Sequence, residues 1–166
     1  MEDLNGEHST VKYFNIQKIS LMVTSFLAGL YIGRKMSNTA TRVKNLIVTG
    51  PSKLVLVVRH DLKMGKGKTA AQCSHATLAS YKKMQKINPH ILQAWEDLGQ
   101  PKVVVRATDL NHINHLSQLA TAAGIETTLI HDAGRTQVEK GSATVLAVGP
   151  ASVTAVDKIT GNLPLL

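Results

Sequence analysis

Apolar and polar positions change their rhythm near residue 53. Before it, one greasy block, "ISLMVTSFLAGLYIG" at Ile19–Gly33, stands between polar stretches. After it, short aliphatic runs alternate with helical stripes. "KLVLVV" (53–58) is continuous, β-branched and aliphatic, which suits a strand buried on both faces. A helix is expected from near Lys68 through "TAAQCSHATLASYKKMQK". A second follows in "NPHILQAWEDLGQP", with Asn88 as N-cap, Pro89 at the first helical position and Gly99 just past the end. "KVVVRA" (102–107) reads as the second strand. Asp109 then caps a helix whose stripe Leu110, Ile113, Leu116, Ala120, Ala123 keeps helical spacing until Gly124 stops it. "ETTLIH" (126–131) and "ATVLAVG" (143–149) are the third and fourth strands, and a short helix near "SVTAVDKI" closes the pattern.

Strands alternating with helices imply parallel β-α-β units with right-handed crossovers. The first three strands should therefore run the same way. The fourth follows the third after an eleven-residue loop with no crossover helix, so it should run antiparallel. The ends of strands one and three and the start of strand four then share one edge of the sheet.

The greasy block has fifteen residues without a charge, short of the roughly 20 that span a bilayer comfortably. A cleaved signal would want small residues before a cleavage site, where Arg34–Lys35 stands instead. A core helix would show a polar face, and only Ser20, Thr24 and Ser25 interrupt the block. A short membrane anchor accounts for both the apolar run and its charged flanks. Arg34, Lys35, Arg42 and Lys44 place the excess positive charge after the run, so the C-terminal part should face the cytosol. "GLYIG" (29–33) also fits the small-xxx-small helix-pairing pattern, which a single chance match satisfies equally well. The organisation read from this is a polar N-terminus (1–18), a hydrophobic anchor helix (19–33), a basic and polar linker (34–52) and a globular domain (53–166).

Composition sharpens the picture in two ways. A formal net charge of +8 favours polyanionic partners such as nucleic acid or an acidic membrane surface, the alternative being a solvated basic surface. A single cysteine, Cys73, excludes an internal disulfide framework, and its alanine-rich surroundings suit a small buried filler.

Two polar clusters carry candidate chemistry. In "RHDLKMGKGKTAAQ" (59–72), Gly67-Lys68-Thr69 mimics the end of a Walker loop, but Leu62 occupies the position of its first glycine. Gly65-x-Gly67-x-x-Ala70 mimics a dinucleotide fingerprint, but its confirming acid on a second strand is missing. What survives is an anion site: a helix N-terminus, two glycines, and Lys63, Lys66 and Lys68. The second cluster is "HDAGRTQVEKGSAT" (131–144). Asp132 directly follows a strand, Gly134 permits a tight turn, Arg135 offers a planar cation, and Thr136 and Thr144 offer hydroxyls. An acid, hydroxyls and a lysine meeting at one sheet edge would make a hydrolytic site that needs no metal. His112 and His115 lack a carboxylate or cysteine cluster to complete a metal site. His75, one turn into the first helix, reads as a packed or supporting residue, as does Gln72.

"VVRHDLKMGKGKTAAQCSHA", "GQPKVVVRA", "IHDAGRTQVEKGSATVLAVGP" and "DKITGNL" resemble, in order and at matching separations, the type 2 peptidyl-tRNA hydrolases of archaea and eukaryotes. The resemblance covers residues 53–166. It implies a three-layer α/β/α fold with a four-stranded mixed sheet, one strand antiparallel, to which the anchor helix is appended. It also implies hydrolysis of the ester between a peptide and the 3′ ribose of tRNA, without a cofactor. Carried over residue by residue, Lys68, Asp132, Thr136 and Thr144 become the catalytic set. Arg59, Lys63, Lys66 and Arg135 become the tRNA grip, while His60 receives no role. The N-terminal block is similar to that of animal members, which sit in the mitochondrial outer membrane facing the cytosol; a cytosolic location is the alternative. Those relatives also leave open a homodimer and an adaptor role with protein partners in cell-death signalling.

Overall fold

The computed structural model describes residues 20–34, 50–134 and 138–166. The chain divides into two compact units, Met1–Val43 and Lys44–Leu166. In the first, helix α1 spans 20–34, one residue displaced from the sequence reading, whose Ile19 lies outside the described residues. Its Leu21, Phe26, Leu27, Leu30 and Tyr31 are exposed. Among the described residues, no helix is long and apolar enough to cross a membrane.

The second unit runs β1 (Ser52–Arg59), α2 (Lys66–Ile87), α3 (Pro89–Asp97), β2 (Lys102–Ala107), α4 (Leu110–Ala122), β3 (Thr127–His131), β4 (Ala143–Ser152), α5 (Val153–Thr160). Its sheet has the order β2-β1-β4-β3. β1 pairs parallel with β2, and β4 pairs antiparallel with both β1 and β3, as the loop lengths led us to expect.

Alternation of side chains along β1 and β4 divides the core between two faces. Val55, Val57, Leu146 and Val148 pack with Ile113, Leu116 and Ala120 of α4 and Val156 of α5. Leu54, Leu56, Val58, Val145 and Ala147 pack with Ala76 and Met84 of α2 and with Leu92 and Trp95 of α3. The result is helix, sheet, helix. The aliphatic character of β1 follows from its place: both faces are covered, so neither can be polar.

Local signals explain most boundaries. Asn88 accepts from the Ile91 amide (3.2 Å) and Asp109 from the His112 amide (2.9 Å), each capping its helix. Gly124 ends α4 at φ +69°, where the Ile125 amide reaches back to the Ala120 carbonyl (2.8 Å). Two boundaries differ from expectation. Helix α2 begins at Lys66 rather than near Lys68, because the Thr69 amide closes a helical bond onto the Gly65 carbonyl (2.9 Å). Glycine's low propensity disguised this start. Strand β4 continues past Gly149–Pro150 to Ser152, because pairing resumes at Ala151–Lys53 and Ser152–Ser52 after an irregularity. One covering was not foreseen: Leu163–Leu166 runs along the free side of β2, with Leu165 bridged to Val105, closing that edge.

Candidate active site

The C-terminal ends of β1 and β3 and the start of β4 meet at one edge of the sheet, beneath the first turns of α2. Asp132 stands two residues beyond Ile130, whose side chain packs on the α2 face. Strand alternation therefore directs Asp132 to the same face. The loop after it is pinned from both sides: the Asp132 amide donates to the Ser142 carbonyl (2.9 Å) and the Gly141 amide to the Asp132 carbonyl (2.8 Å). Gly134 turns the chain at φ +74°, where a Cβ would lie 2.5 Å from that of Lys140. Its amide donates to Asp132 Oδ1 at 2.7 Å.

The other carboxylate oxygen, Oδ2, takes a close ion pair from Lys68 Nζ and a 2.8 Å hydrogen bond from Gln72 Nε2. Lys68 and Gln72 lie four apart on α2 and so share a face. The Gln72 amide oxygen in turn accepts from the Thr144 hydroxyl at 2.9 Å. That contact depends on a bulge. Ile130 pairs with Val145 but His131 pairs with Ala143, which leaves Thr144 as the extra residue of β4. Strict alternation with Leu146 would turn Thr144 toward α4; the bulge re-aims it toward α2. Its hydroxyl also lies 3.2 Å from the Ile130 carbonyl, so both acceptors share one proton.

The Asp132 side chain is 3% exposed and that of Lys68 11%. The Lys68 ammonium, first, and the Gly134 amide hold the Asp132 carboxyl below the usual carboxylate range against the opposing effect of burial. The neighbouring His75 acts in the same direction. A cleft of 320 Å³ opens onto this cluster, walled by Ala71, Gln72, His75, Ile130, His131 and Ala133. His75 is an exposed wall of the cleft beside Lys68 and is not packed into the core, because the buried line of α2 runs through Gln72, Ala76, Ser80 and Met84; a supporting role for it stays open.

The expected cations divide into groups. Arg59 chelates Asp61 through Nε (3.1 Å) and Nη2 (2.5 Å) and donates from Nη1 to the Ala143 carbonyl (3.0 Å). It thereby ties the end of β1 to the start of β4, and its hydrogen bond holds Asp61 below the usual carboxylate range. Lys63 and Lys66 are exposed on the opposite flank of α2. Arg135 and Thr136 lie outside the described residues. Asp61 was missed, although an acid two positions after Arg59 in a turn was a readable signal. Among the described residues, no three or more His, Cys, Asp or Glu side chains gather as a metal site. His112 instead meets the Thr108 amide through Nδ1 (3.4 Å) beside the α4 cap.

Comparison with known proteins gives consistent matches. Residues 52–166 match the family described as "Peptidyl-tRNA hydrolase PTH2". The chain is 51% identical over 128 residues to "Peptidyl-tRNA hydrolase 2, mitochondrial" of Bos taurus, covering 77% of this chain and 72% of the relative. Against the Homo sapiens protein of the same description it is 50% identical over 129 residues, 78% and 72% of the two chains. The "Peptidyl-tRNA hydrolase" of Thermoplasma acidophilum is 43% identical over 114 residues, which are 69% of this chain and 97% of the archaeal one.

Proposed function

The chain belongs to the PTH2 family of peptidyl-tRNA hydrolases, and we propose that it releases peptide from tRNA by water attack steered by Asp132 and Lys68. The observation that carries the reading is the ion pair itself, a nearly buried carboxylate and an ammonium at the mouth of one cleft. A carboxylate held below its ordinary range is a weak base at neutral pH. This supports Asp132 as the group that accepts a hydrogen bond from the water and aligns its oxygen on the ester carbonyl carbon. The Lys68 ammonium, in the first turn of α2 where the helix dipole is positive, offsets charge growing on the carbonyl oxygen. As the acyl–oxygen bond to the 3′ ribose breaks, the ribose oxygen takes up a proton and the water delivers one, so the step balances.

Gln72 and Thr144 fix the carboxylate's angle rather than touching the ester, and Thr136 supplies a further hydroxyl. Lys63, Lys66 and Arg135 hold phosphates of the tRNA without reading bases. Arg59 assists by bracing the strand ends. Incubating the full chain with an N-acetylated aminoacyl-tRNA, with and without chelator, tests the reading. Free tRNA should appear equally in both; no release in either would sink it.

Helix α1, whose apolar side chains are exposed, tethers the hydrolase at the mitochondrial outer membrane with the second unit on the cytosolic side. Relatives described as mitochondrial support the choice of organelle. The 15 residues of α1 rise about 22 Å. The hydrocarbon core is roughly 30 Å thick, so the described helix reaches part of the way. Fractionation of cells should recover the chain with mitochondrial membranes and leave its second unit open to added protease; a wholly soluble chain would refute the tether.

A further inference from the structure

Helix α2 carries a cleft on each flank. An α-helix turns about 100° per residue. By that step Lys68, Ala71, Gln72 and His75 form one flank, which lines the catalytic cleft. Lys66, Thr69, Ala70 and Cys73 form the opposite flank and line a second cleft of 620 Å³. Gly67 projects outward midway between the two.

The second cleft has an apolar floor: Val58 of β1, Met64 of the loop, Val104 of β2 and Cys73. Burial pushes the Cys73 thiol up, so it presents a neutral sulfur. Lys63, Lys66 and Arg106 stand on the lining, and no acidic side chain does. Arg59 also lines it but is held by Asp61. Apolar floor and cationic rim together fit a ligand that repeats a flat ring and a phosphate, that is, a nucleotide.

Gly67 points the same way. Its backbone is not left-handed, and a Cβ there would meet nothing within 4 Å. Nothing in the fold requires glycine at this place, and glycine weakens a helix. What it supplies is a low ridge between the two clefts, over which a sugar–phosphate chain can pass closely.

We infer that the second cleft receives an unpaired nucleotide of the tRNA 3′ end, upstream of the esterified one, and that the strand crosses α2 over Gly67 to present its ester to Lys68 and Asp132. This rests on the peptidyl-tRNA reading above. It adds Arg106, Ala70 and Gly67 to the substrate path and leaves the catalytic cleft for the acyl side.

The test uses the full chain and two competitors of N-acetylated aminoacyl-tRNA hydrolysis: the trinucleotide CpCpA and an N-acetylated dipeptide. Ala70→Phe, which fills the cleft from an exposed helix position, and Arg106→Glu should each raise the CpCpA inhibition constant and the substrate KM by about tenfold. kcat should change far less, and the dipeptide constant should stay put. Gly67→Leu should do the same while its Tm equals or exceeds that of the unsubstituted chain, which separates a blocked path from a damaged fold. An unchanged CpCpA constant in all three variants overturns the inference. So does a rise confined to the dipeptide, which would assign the cleft to the peptide. Direct binding of fluorescent CpCpA reads the cleft even in a chain that proves inactive, so failure of the ester reading remains a separate result.

Discussion

Lys68 and Asp132, 64 positions apart in the chain, close an ion pair whose carboxylate is almost withdrawn from solvent. Neither local segment makes this contact alone; the first turn of α2 and the exit of β3 must be brought together by the sheet. Asp132→Asn keeps the shape and the Gly134 turn but removes the charge. Turnover should fall by about 10²–10⁴. Affinity for tRNA, measured by a binding assay on the same variant, should change little. Lost binding with retained turnover would overturn the assigned role.

Gln72 joins Asp132 to Thr144 through one amide. Gln72→Met and Thr144→Val should each lower kcat about tenfold to a hundredfold, with KM nearly unchanged. The double variant should be no worse than the poorer single, because residues in one network are not additive. A multiplicative loss would show that the two act separately.

The pH behaviour of Asp132 has a definite sign. Its pKa in the folded chain is lowered from 3.8, chiefly by the Lys68 hydrogen bond. The stability this contributes is present above the ordinary carboxylate value and is lost as pH falls through the lower folded value. Urea unfolding of the unsubstituted chain should therefore show an acid-side loss of stability that is smaller in Asp132→Asn. Equal acid slopes in the two chains would show that Asp132 titrates alike folded and unfolded.

Salt dependence separates the cations. Lys63→Ala and Lys66→Ala should each flatten the slope of log affinity against log salt by about 0.7–0.9, one phosphate contact apiece. Arg59→Ala should leave the slope closer to that of the unsubstituted chain. It should lower stability by about 1 kcal/mol, chiefly through the part-buried Ala143 carbonyl left without its donor. A full unit of slope lost in Arg59→Ala would return it to the phosphate contacts.

Much of the fold was legible because its signals are local: the β-branched run of β1, the Asn88 and Asp109 caps, the Gly124 stop, and the short connection that reverses β4. Lys68 and Asp132 were legible as chemistry, and strand direction put them at one edge. What could not be read was anything set by register. The bulge that turns Thr144 toward Gln72 shifts one residue, and period-two reasoning assigns that residue to the wrong face. Asp61 was missed as the partner of Arg59, although the two lie two positions apart, because the turn that aims it is tied to β2 through the His60 and Asp61 amides. Helix α2 began earlier than expected because glycine within a first turn resembles loop.

The position of β4 has a consequence for how the enzyme comes into being. β1 and β3 have no pairing with each other; β4, made after both, slots between them. A chain released or halted before that strand emerges lacks the partner that pairs with β3 and so fixes Asp132. Such a fragment holds every lysine needed to attract RNA but not the joined sheet edge needed to cut the ester, so birth of activity waits for β4.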